Sequence, residues 1–308
     1  MHDLIIIGGG PAGVGAGVYA SRKLLKTILI TEEWGGQSVV SPEIQNWIGT
    51  IVISGADLAK KLKEHLEAYK GEYVEIIDGD RVEKVEKTEE GFVVSTKNEK
   101  NMSARAVLIT SGAHRRKLEI PGAKEFDQKG LTYCASCDGP LFSGQDVVVV
   151  GGGNAGFETA AQLLAYVKNV TLLHRSSEFD KADPVTVKKV LEHPNMKALT
   201  DTEPTEIKGD KFVTGVAYKN SKTGEAGEIA ATGVFVEIGL VPNTEFVSGL
   251  VECDDYKRIV VDPKSQKTSV QGVWAAGDCT NELYHQNNIA CGDAVKALED
   301  IYVHLRAR

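Results

Sequence analysis

The sequence predicts an α/β protein of two doubly wound, Rossmann-like domains, the second inserted into the first. Three observations carry this expectation. First, HDLIIIGGGPAGVGAGVYASR is an apolar run, a Gly-rich turn and a small-residue helix, and QDVVVVGGGNAGFETAAQLLAYV repeats that plan further along the chain. Second, each copy leads into another short strand, KTILIT (26–31) or NVTLLH (169–174), so each reads as the βαβ unit that opens a nucleotide-binding domain. Third, two Gly- and Pro-bearing breaks, GAHRRKLEIPG (112–122) and GLVPNTEF (239–246), read as crossings between domains. The expected division is 1–113 with 245–308 for the first domain and 114–244 for the second.

Taken in order, Gly8-x-Gly10-x-x-Gly13 allows a tight turn, close approach of backbone to a pyrophosphate, and close packing of helix on strand. An acid for a ribose is expected about 20 residues on, where Glu32 and Glu33 stand. The stretches YVEIIDGDRVEKVEK, GFVVSTK and RAVLITSG alternate apolar and polar residues, as a half-buried antiparallel sheet would. Gly151-x-Gly153-x-x-Gly156 repeats the first motif, so two dinucleotides are expected, and a flavin with a nicotinamide is the economical pair. Here the following strand ends in His174-Arg175-Ser176-Ser177-Glu178. A positive group suits a 2′-phosphate and Glu178 suits a free ribose hydroxyl, so both nicotinamides stay open. In AAGDC (275–279), Asp278 follows a tight turn, placed to accept from a ribityl chain or to cap the next helix. The last segment, NIACGDAVKALEDIYVHL, is amphipathic.

Composition excludes several classes. Lys and Arg number 35 against 43 Asp and Glu, a net charge of −8, so there is no basic excess to neutralise nucleic-acid or membrane phosphates. No apolar run approaches the ~20 residues that span a bilayer, and no signal peptide is expected before LIIIGGG. Hydrophobic residues make up 42% and charged residues 25%, the mix of a globular protein with buried cores. Of five cysteines only Cys134 and Cys137 are close, which suits a reducing cytoplasm. A zinc site would want a second CxxC or a His pair, so no metal is expected. Cys134-Ala-Ser-Cys137 instead reads as a redox pair, with Asp138 next to it as proton donor and acceptor. Cys279 and Cys291 read as small buried hydrophobes, and Cys253 is isolated.

With the N-terminal motif, YCASCDGPLFSGQDVVVVGGGNAGFETA and VWAAGDCTNELYHQ, nearly the whole chain resembles the low-molecular-weight thioredoxin reductases. It is also similar to the flavoprotein component of alkyl hydroperoxide reductase, without that component's additional N-terminal region. The resemblance implies a homodimer that passes electrons from NADPH, or from NADH, through FAD and the dithiol to thioredoxin or a thioredoxin-like protein. Reduction of a peroxiredoxin system, or redox sensing without turnover, are the alternatives. Carried over by motif, Gly8, Gly10, Pro11, Ala12 and Gly13 would line the FAD with Thr31, Glu32, Glu33, Gly36, Gln37, Asn46, Val82 and Gly112. From the C-terminal part Gly277, Asp278, His285, Gln286 and Asn287 would join them. The nicotinamide dinucleotide would take Gly151, Gly153, Asn154, Ala155, Gly156, Glu158, His174, Arg175 and Ser176. Cys137 would face the flavin and Cys134 would attack the partner's disulfide. Two positions depart from the family pattern. Ser176 follows His174-Arg175 where a second Arg is usual, with Asp180-Lys181 after Phe179, and His285 stands in place of an Arg.

Overall fold

In the computed structural model, residues 1–41 and 43–306 are described; Pro42, Ala307 and Arg308 lie outside the described residues. β1 (His2–Gly9) is an apolar run buried through Leu4–Ile7, as a strand covered on both faces must be. The Gly-rich turn enters α1 (Pro11–Arg22), where Pro11 sits in the first turn and its missing N–H costs nothing. β2 (Thr27–Trp34) runs parallel to β1, with Leu4 opposite Thr27 and Ile7 opposite Ile30. Ser54 caps α2 (Gly55–Tyr69) by accepting from the Asp57 N–H at 3.1 Å.

β3 (Val74–Asp78), β4 (Val82–Lys87), β5 (Phe92–Thr96) and β6 (Asn101–Ile109) follow, and here the structure corrects the sequence reading. β4, β5 and the start of β6 do pair antiparallel, but β3 lies parallel to β2 and β6 lies parallel to β1. The reason is visible in β6. Its first residues are partly exposed and pair with β5, whereas Ala106–Ile109 are fully buried and continue into the parallel sheet.

The chain crosses to a second compact unit along β7 (Ala113–Arg115). That unit holds β8 (Leu131–Thr132), α3 (Ala135–Asp138), β9 (Asp146–Val150), α4 (Asn154–Leu163), β10 (Asn169–Leu173), α5 (Pro184–Leu191) and β11 (Met196–Leu199). An antiparallel meander of β12 (Thr202–Gly209), β13 (Val213–Asn220) and β14 (Ala226–Ala230) leads to β15 (Gly233–Val236). The return runs through β16 (Leu240–Pro242), and β17 (Val273–Ala275) and α6 (Asn287–Arg306) complete the first unit. The units are Met1–His114 with Val241–Arg308, and Arg115–Leu240.

The first unit's seven-stranded sheet runs β3-β2-β1-β6-β5-β4, with β17 also on β6; the second unit's runs β11-β10-β9-β15-β8 and is parallel throughout. Both meet the doubly wound expectation. In each, a central strand (β1 or β9) lies between one neighbour reached by the first crossover and another reached much later. Such a switch point opens a crevice at the carboxyl ends of the strands, where the Gly-rich turns lie. Apolar packing fixes these strands. Ala12, Val14, Ala16 and Leu298 bury one face of the first sheet, and Phe157 and Leu163 of α4 pack on Phe235 to bury one face of the second. Each large buried side chain contributes roughly 1.5–3 kcal/mol. Among the described residues no helix is long and apolar enough to cross a membrane.

Candidate active site

In the first unit Gly8 has φ +122, and a Cβ there would lie 2.3 Å from Thr110 O. A Cβ on Gly13 would lie 1.9 Å from Gly8 O, so α1 sits directly against the end of β1. Gly10, the N-cap, faces open space and has no side-chain cap. The N–H groups of Ala12 and Gly13 at this helix start therefore have no intrahelical acceptor. Together these features leave an open, electropositive helix end of the kind that binds pyrophosphate.

The rim is assembled from distant segments. Gln37 Nε2 donates to Asp278 Oδ2 at 3.3 Å, Ser38 Oγ to Asn287 Oδ1 at 2.8 Å, and Asn46 Nδ2 to Gln286 Oε1 at 3.2 Å. Gly36 lies 3.8 Å, measured from its Cβ position, from Gly10 Cα, and Gly277 (φ +77) packs toward Ala12 and Ala290. His285 Nε2 donates to Glu282 O at 2.9 Å, and its Nδ1 is buried with no hydrogen-bond partner among the described residues. Thr31 is buried under the turn and donates to Glu33 O at 2.5 Å, while Glu32 and Glu33 are exposed and Glu32 stands 4.0 Å from Arg81. Val82 is a core residue, so only its main chain is offered to a ligand, and Gly112 (φ +65) is open. The open Gly10, the bare helix end and the orphaned His285 nitrogen fit FAD.

The second turn repeats the geometry. Gly151 (φ +120) would place a Cβ 2.2 Å from Glu237 O, a Cβ on Gly156 would lie 1.9 Å from Gly151 O, and Gly153 is an uncapped, open N-cap. The residues fit a second dinucleotide. Its surroundings differ, however. Asn154 N donates to Lys181 O at 3.2 Å and Asn154 Oδ1 accepts from Asp183 N at 2.7 Å, so Asn154 anchors the 181–183 loop. His174 packs over Gly152, stacks on Phe179 at 5.0 Å and donates from Nε2 to Glu178 O at 2.8 Å. Ala155, Glu158, Arg175 and Ser176 are exposed.

Cys134 and Cys137 are joined in a disulfide with Cα atoms 5.3 Å apart. Cys134 is the N-cap of α3, its Sγ accepting from the Cys137 N–H at 3.2 Å, and its own N–H donates to Thr132 Oγ1 at 3.3 Å. Thr132 in turn donates to Asp138 Oδ2, while Asp138 Oδ1 is buried without a partner among the described residues. Burial pushes the Asp138 carboxyl up, opposed by the Thr132 hydrogen bond and the Arg115 charge. A Cβ on Gly139 would lie 2.1 Å from the Tyr166 hydroxyl, so Tyr166 packs directly on the turn that follows the dithiol. The other thiols are pushed away from the reactive thiolate form, Cys279 by full burial to about 11, Cys291 upward by burial, and the exposed Cys253 upward by partial desolvation of its sulfur and the charges of Asp254 and Glu252.

Sequence reasoning missed Thr132, Tyr166, Arg115 and Glu237. Glu237 left a signal, since it is the one charge in the apolar run GVFVEIGLV. The other three have none, because their partners are set by tertiary contacts.

Residues 2–294 match the pyridine nucleotide-disulphide oxidoreductase family. The chain is 40% identical over 295 residues to an NADH dehydrogenase of Bacillus subtilis, covering 96% of this chain and 57% of that protein. It is 39% identical over 300 residues to a component of the alkyl hydroperoxide reductase of Escherichia coli, covering 96% and 57%. The chain thus spans 57% of the length of each of these relatives. Its fold matches the thioredoxin reductase of Streptococcus pyogenes with a TM-score of 0.91, at 34% identity over 100% of this chain and 99% of that one. The thioredoxin reductase of Giardia duodenalis matches with a TM-score of 0.93 at 34% identity over the same shares. The chain belongs to the pyridine nucleotide-disulphide oxidoreductase family and, within it, to the flavoproteins of thioredoxin reductase type.

Proposed function

We propose that this chain reduces the disulfide of a thioredoxin-like protein, using NADPH or NADH, FAD and the Cys134–Cys137 pair. The observation that carries the reading is the dithiol itself: a CxxC disulfide at the start of α3, with the buried Asp138 held by Thr132 beside it. Bound FAD supplies the two-electron link between a nicotinamide and this disulfide. In the dithiol form, the Cys134 thiolate attacks the partner's disulfide, making a mixed disulfide and releasing one partner thiolate. Cys137 then attacks Cys134 Sγ, restoring the disulfide and releasing the second partner thiolate. Two thiols are oxidised and one disulfide is reduced, so the electrons balance. Asp138, whose carboxyl holds its proton more tightly than an ordinary carboxylic acid, exchanges that proton with the sulfur that leaves or attacks.

The exposed Arg175 supports use of NADPH, as a cation for a 2′-phosphate. The name of the Bacillus subtilis relative supports NADH. Identity to a component of alkyl hydroperoxide reductase supports a second reading, in which the partner belongs to a peroxide-reducing system. A homodimer is supported by an apolar row in the first unit. Ile48 (82% exposed), Ile51 (94%), Leu283 (75%) and Tyr284 (66%) lie on two segments tied by Asn288, which donates to Asn46 O at 2.7 Å. A monomer by light scattering would remove that part of the reading. A cytoplasmic setting suits an exposed Cys253 thiol.

The deciding assay follows oxidation of NADPH and of NADH by the FAD-loaded chain, against thioredoxins and against peroxiredoxins. Turnover that depends on a disulfide protein supports the proposal, and the panel selects the partner. Flavin reduction without any such turnover would leave a redox sensor in its place.

A further inference from the structure

Two charged side chains of the second unit have no part in the chemistry above, Arg115 and Glu237. Glu237 directly follows β15. Its N–H donates to Val150 O at 2.8 Å, and its carbonyl occupies the space a Cβ on Gly151 would need. Its main chain is thus the floor of the second Gly-rich turn. Its carboxyl is only 12% exposed. It accepts from Thr159 Oγ1 at 3.0 Å, on α4, and pairs with Arg115 Nη1 at 3.5 Å. Burial pushes it up to about 7, against the pull of Arg115 and Thr159, with the Glu158 charge adding to the push.

Asp138 belongs to the same face of the sheet. Thr132, which holds Asp138, pairs in register with Phe235, and parallel partners point to the same side. Glu237 lies two residues beyond Phe235, so it shares that side. Arg115 acts electrostatically on both carboxyls. The groups that face Glu237 are Arg115 from β7, and Glu158 and Thr159 from α4. Those around Asp138 are Thr132 from β8, Arg115, the two cysteines of its own helix, and the Tyr166 hydroxyl packed on the adjoining Gly139.

We propose that Arg115 is a counter-ion shared by Asp138 and Glu237, which makes Glu237 a positioning residue for the protonation of the dithiol's acid. One cation serves two buried carboxyls. With one proton bound between them the cluster is neutral; with none it carries a buried net negative charge. The carboxyls therefore titrate as a pair rather than as two independent acids. When Glu237 is ionised it draws on Arg115 and Asp138 keeps its proton. When Glu237 is protonated, or replaced by an uncharged side chain, the Arg115 charge favours ionised Asp138. That this matters to the dithiol rests on the function proposed above.

The test is carboxyl 13C NMR of the full FAD-loaded chain across about pH 4 to pH 9, with the disulfide oxidised. Glu237→Gln keeps the shape and the Thr159 contact. It is expected to lower the midpoint of Asp138 by about one pH unit, tenfold in proton affinity. Because linkage is reciprocal, Asp138→Asn must lower the midpoint of Glu237 by the same factor. Arg115→Gln is expected to raise both, and Arg115→Lys to restore them in part. Midpoints of each acid that ignore replacement of the other overturn the proposal, as does an Arg115→Gln shift confined to Glu237. The reciprocal pair keeps the test intact if one variant folds poorly. A second readout is site-specific alkylation of Cys134 in the reduced protein. If the carboxyls are coupled but the pH dependence of alkylation follows neither, the coupling stands and the assignment of Asp138 to the dithiol falls.

Discussion

Two glycines offer a matched perturbation. A methyl on Gly13 would lie 1.9 Å from Gly8 O, and a methyl on Gly156 would lie 1.9 Å from Gly151 O. A Cβ needs a separation of at least about 3.0 Å. Each Ala substitution must therefore drive its helix about 1 Å off the strand it packs on. Overpacking of this kind typically costs about 1–3 kcal/mol. The same displacement carries the bare N–H groups at the helix start away from the pyrophosphate they would hold. Losing one charge-assisted contact, worth about 1.5–3 kcal/mol, weakens binding by one to two powers of ten. Gly13→Ala should purify with well below one FAD per chain. Gly156→Ala should purify fully yellow, with nicotinamide affinity weakened by about 10- to 100-fold. Flavin content after gel filtration reads the first site, and the nicotinamide dependence of flavin reduction in a rapid-mixing experiment reads the second. Flavin retention in Gly156→Ala also shows that the first unit is intact. Full flavin occupancy with unchanged affinity in Gly13→Ala, or loss of flavin from Gly156→Ala alone, would refute the assignment of the two turns.

Three further outcomes are expected. Cys137→Ser leaves Cys134 able to trap a partner as a lasting mixed disulfide, with flavin reduction by nicotinamide intact and disulfide turnover abolished; retained turnover counts against the dithiol. Arg175→Ala should weaken NADPH relative to NADH by about one to two powers of ten in kcat/KM, and an unchanged ratio shows that Arg175 does not discriminate. Glu237, raised in the fold from 4.5 to about 7, binds more protons folded than unfolded between those values, so its contribution to stability is complete below about pH 4.5 and is lost as pH rises through 7. Glu237→Gln should therefore gain up to about 3 kcal/mol on wild type between pH 5 and pH 8 in urea unfolding, and an equal difference at both pH values contradicts this.

The legible parts of the sequence were those whose physical demand is local. A turn that needs a positive φ and a helix start without a Cβ can be satisfied only by glycine at fixed spacing, so Gly8–Gly13 and Gly151–Gly156 announced both crevices. The CxxC likewise closes on itself within α3. What was illegible depended on which strand lies beside which. β3 reads as antiparallel because VEIID alternates, yet its partner β2 makes it the edge of a parallel sheet. Asn154 is expected from the motif to contact a nucleotide, while its further tie, accepting from the Asp183 N–H, could not be read from the sequence. Arg115 and Glu237 lie at opposite ends of the inserted unit's sequence, and only the close run of its first and last residues, where the Arg116 N–H donates to Gly239 O at 3.0 Å, brings them together.

One duplicated plan can serve two kinds of ligand. The glycine geometry is nearly identical in both turns, so the helix ends themselves offer a pyrophosphate nearly the same welcome. The difference lies in what flanks them. Around the first turn, side chains from 37–46 are tied to side chains from 278–287 by three hydrogen bonds, so the rim is closed by segments far apart in sequence. These ties fix the rim's side chains in place before any ligand arrives, so little ordering is left for binding to supply. Around the second turn, His174 and Asn154 are spent on the protein's own 178–183 loop, and Arg175 and Ser176 stand in solvent. A ligand there must order exposed side chains to gain their contacts, which subtracts from its affinity and eases its release. The first arrangement suits a group retained through turnover, and the second suits a cosubstrate that must exchange at every cycle.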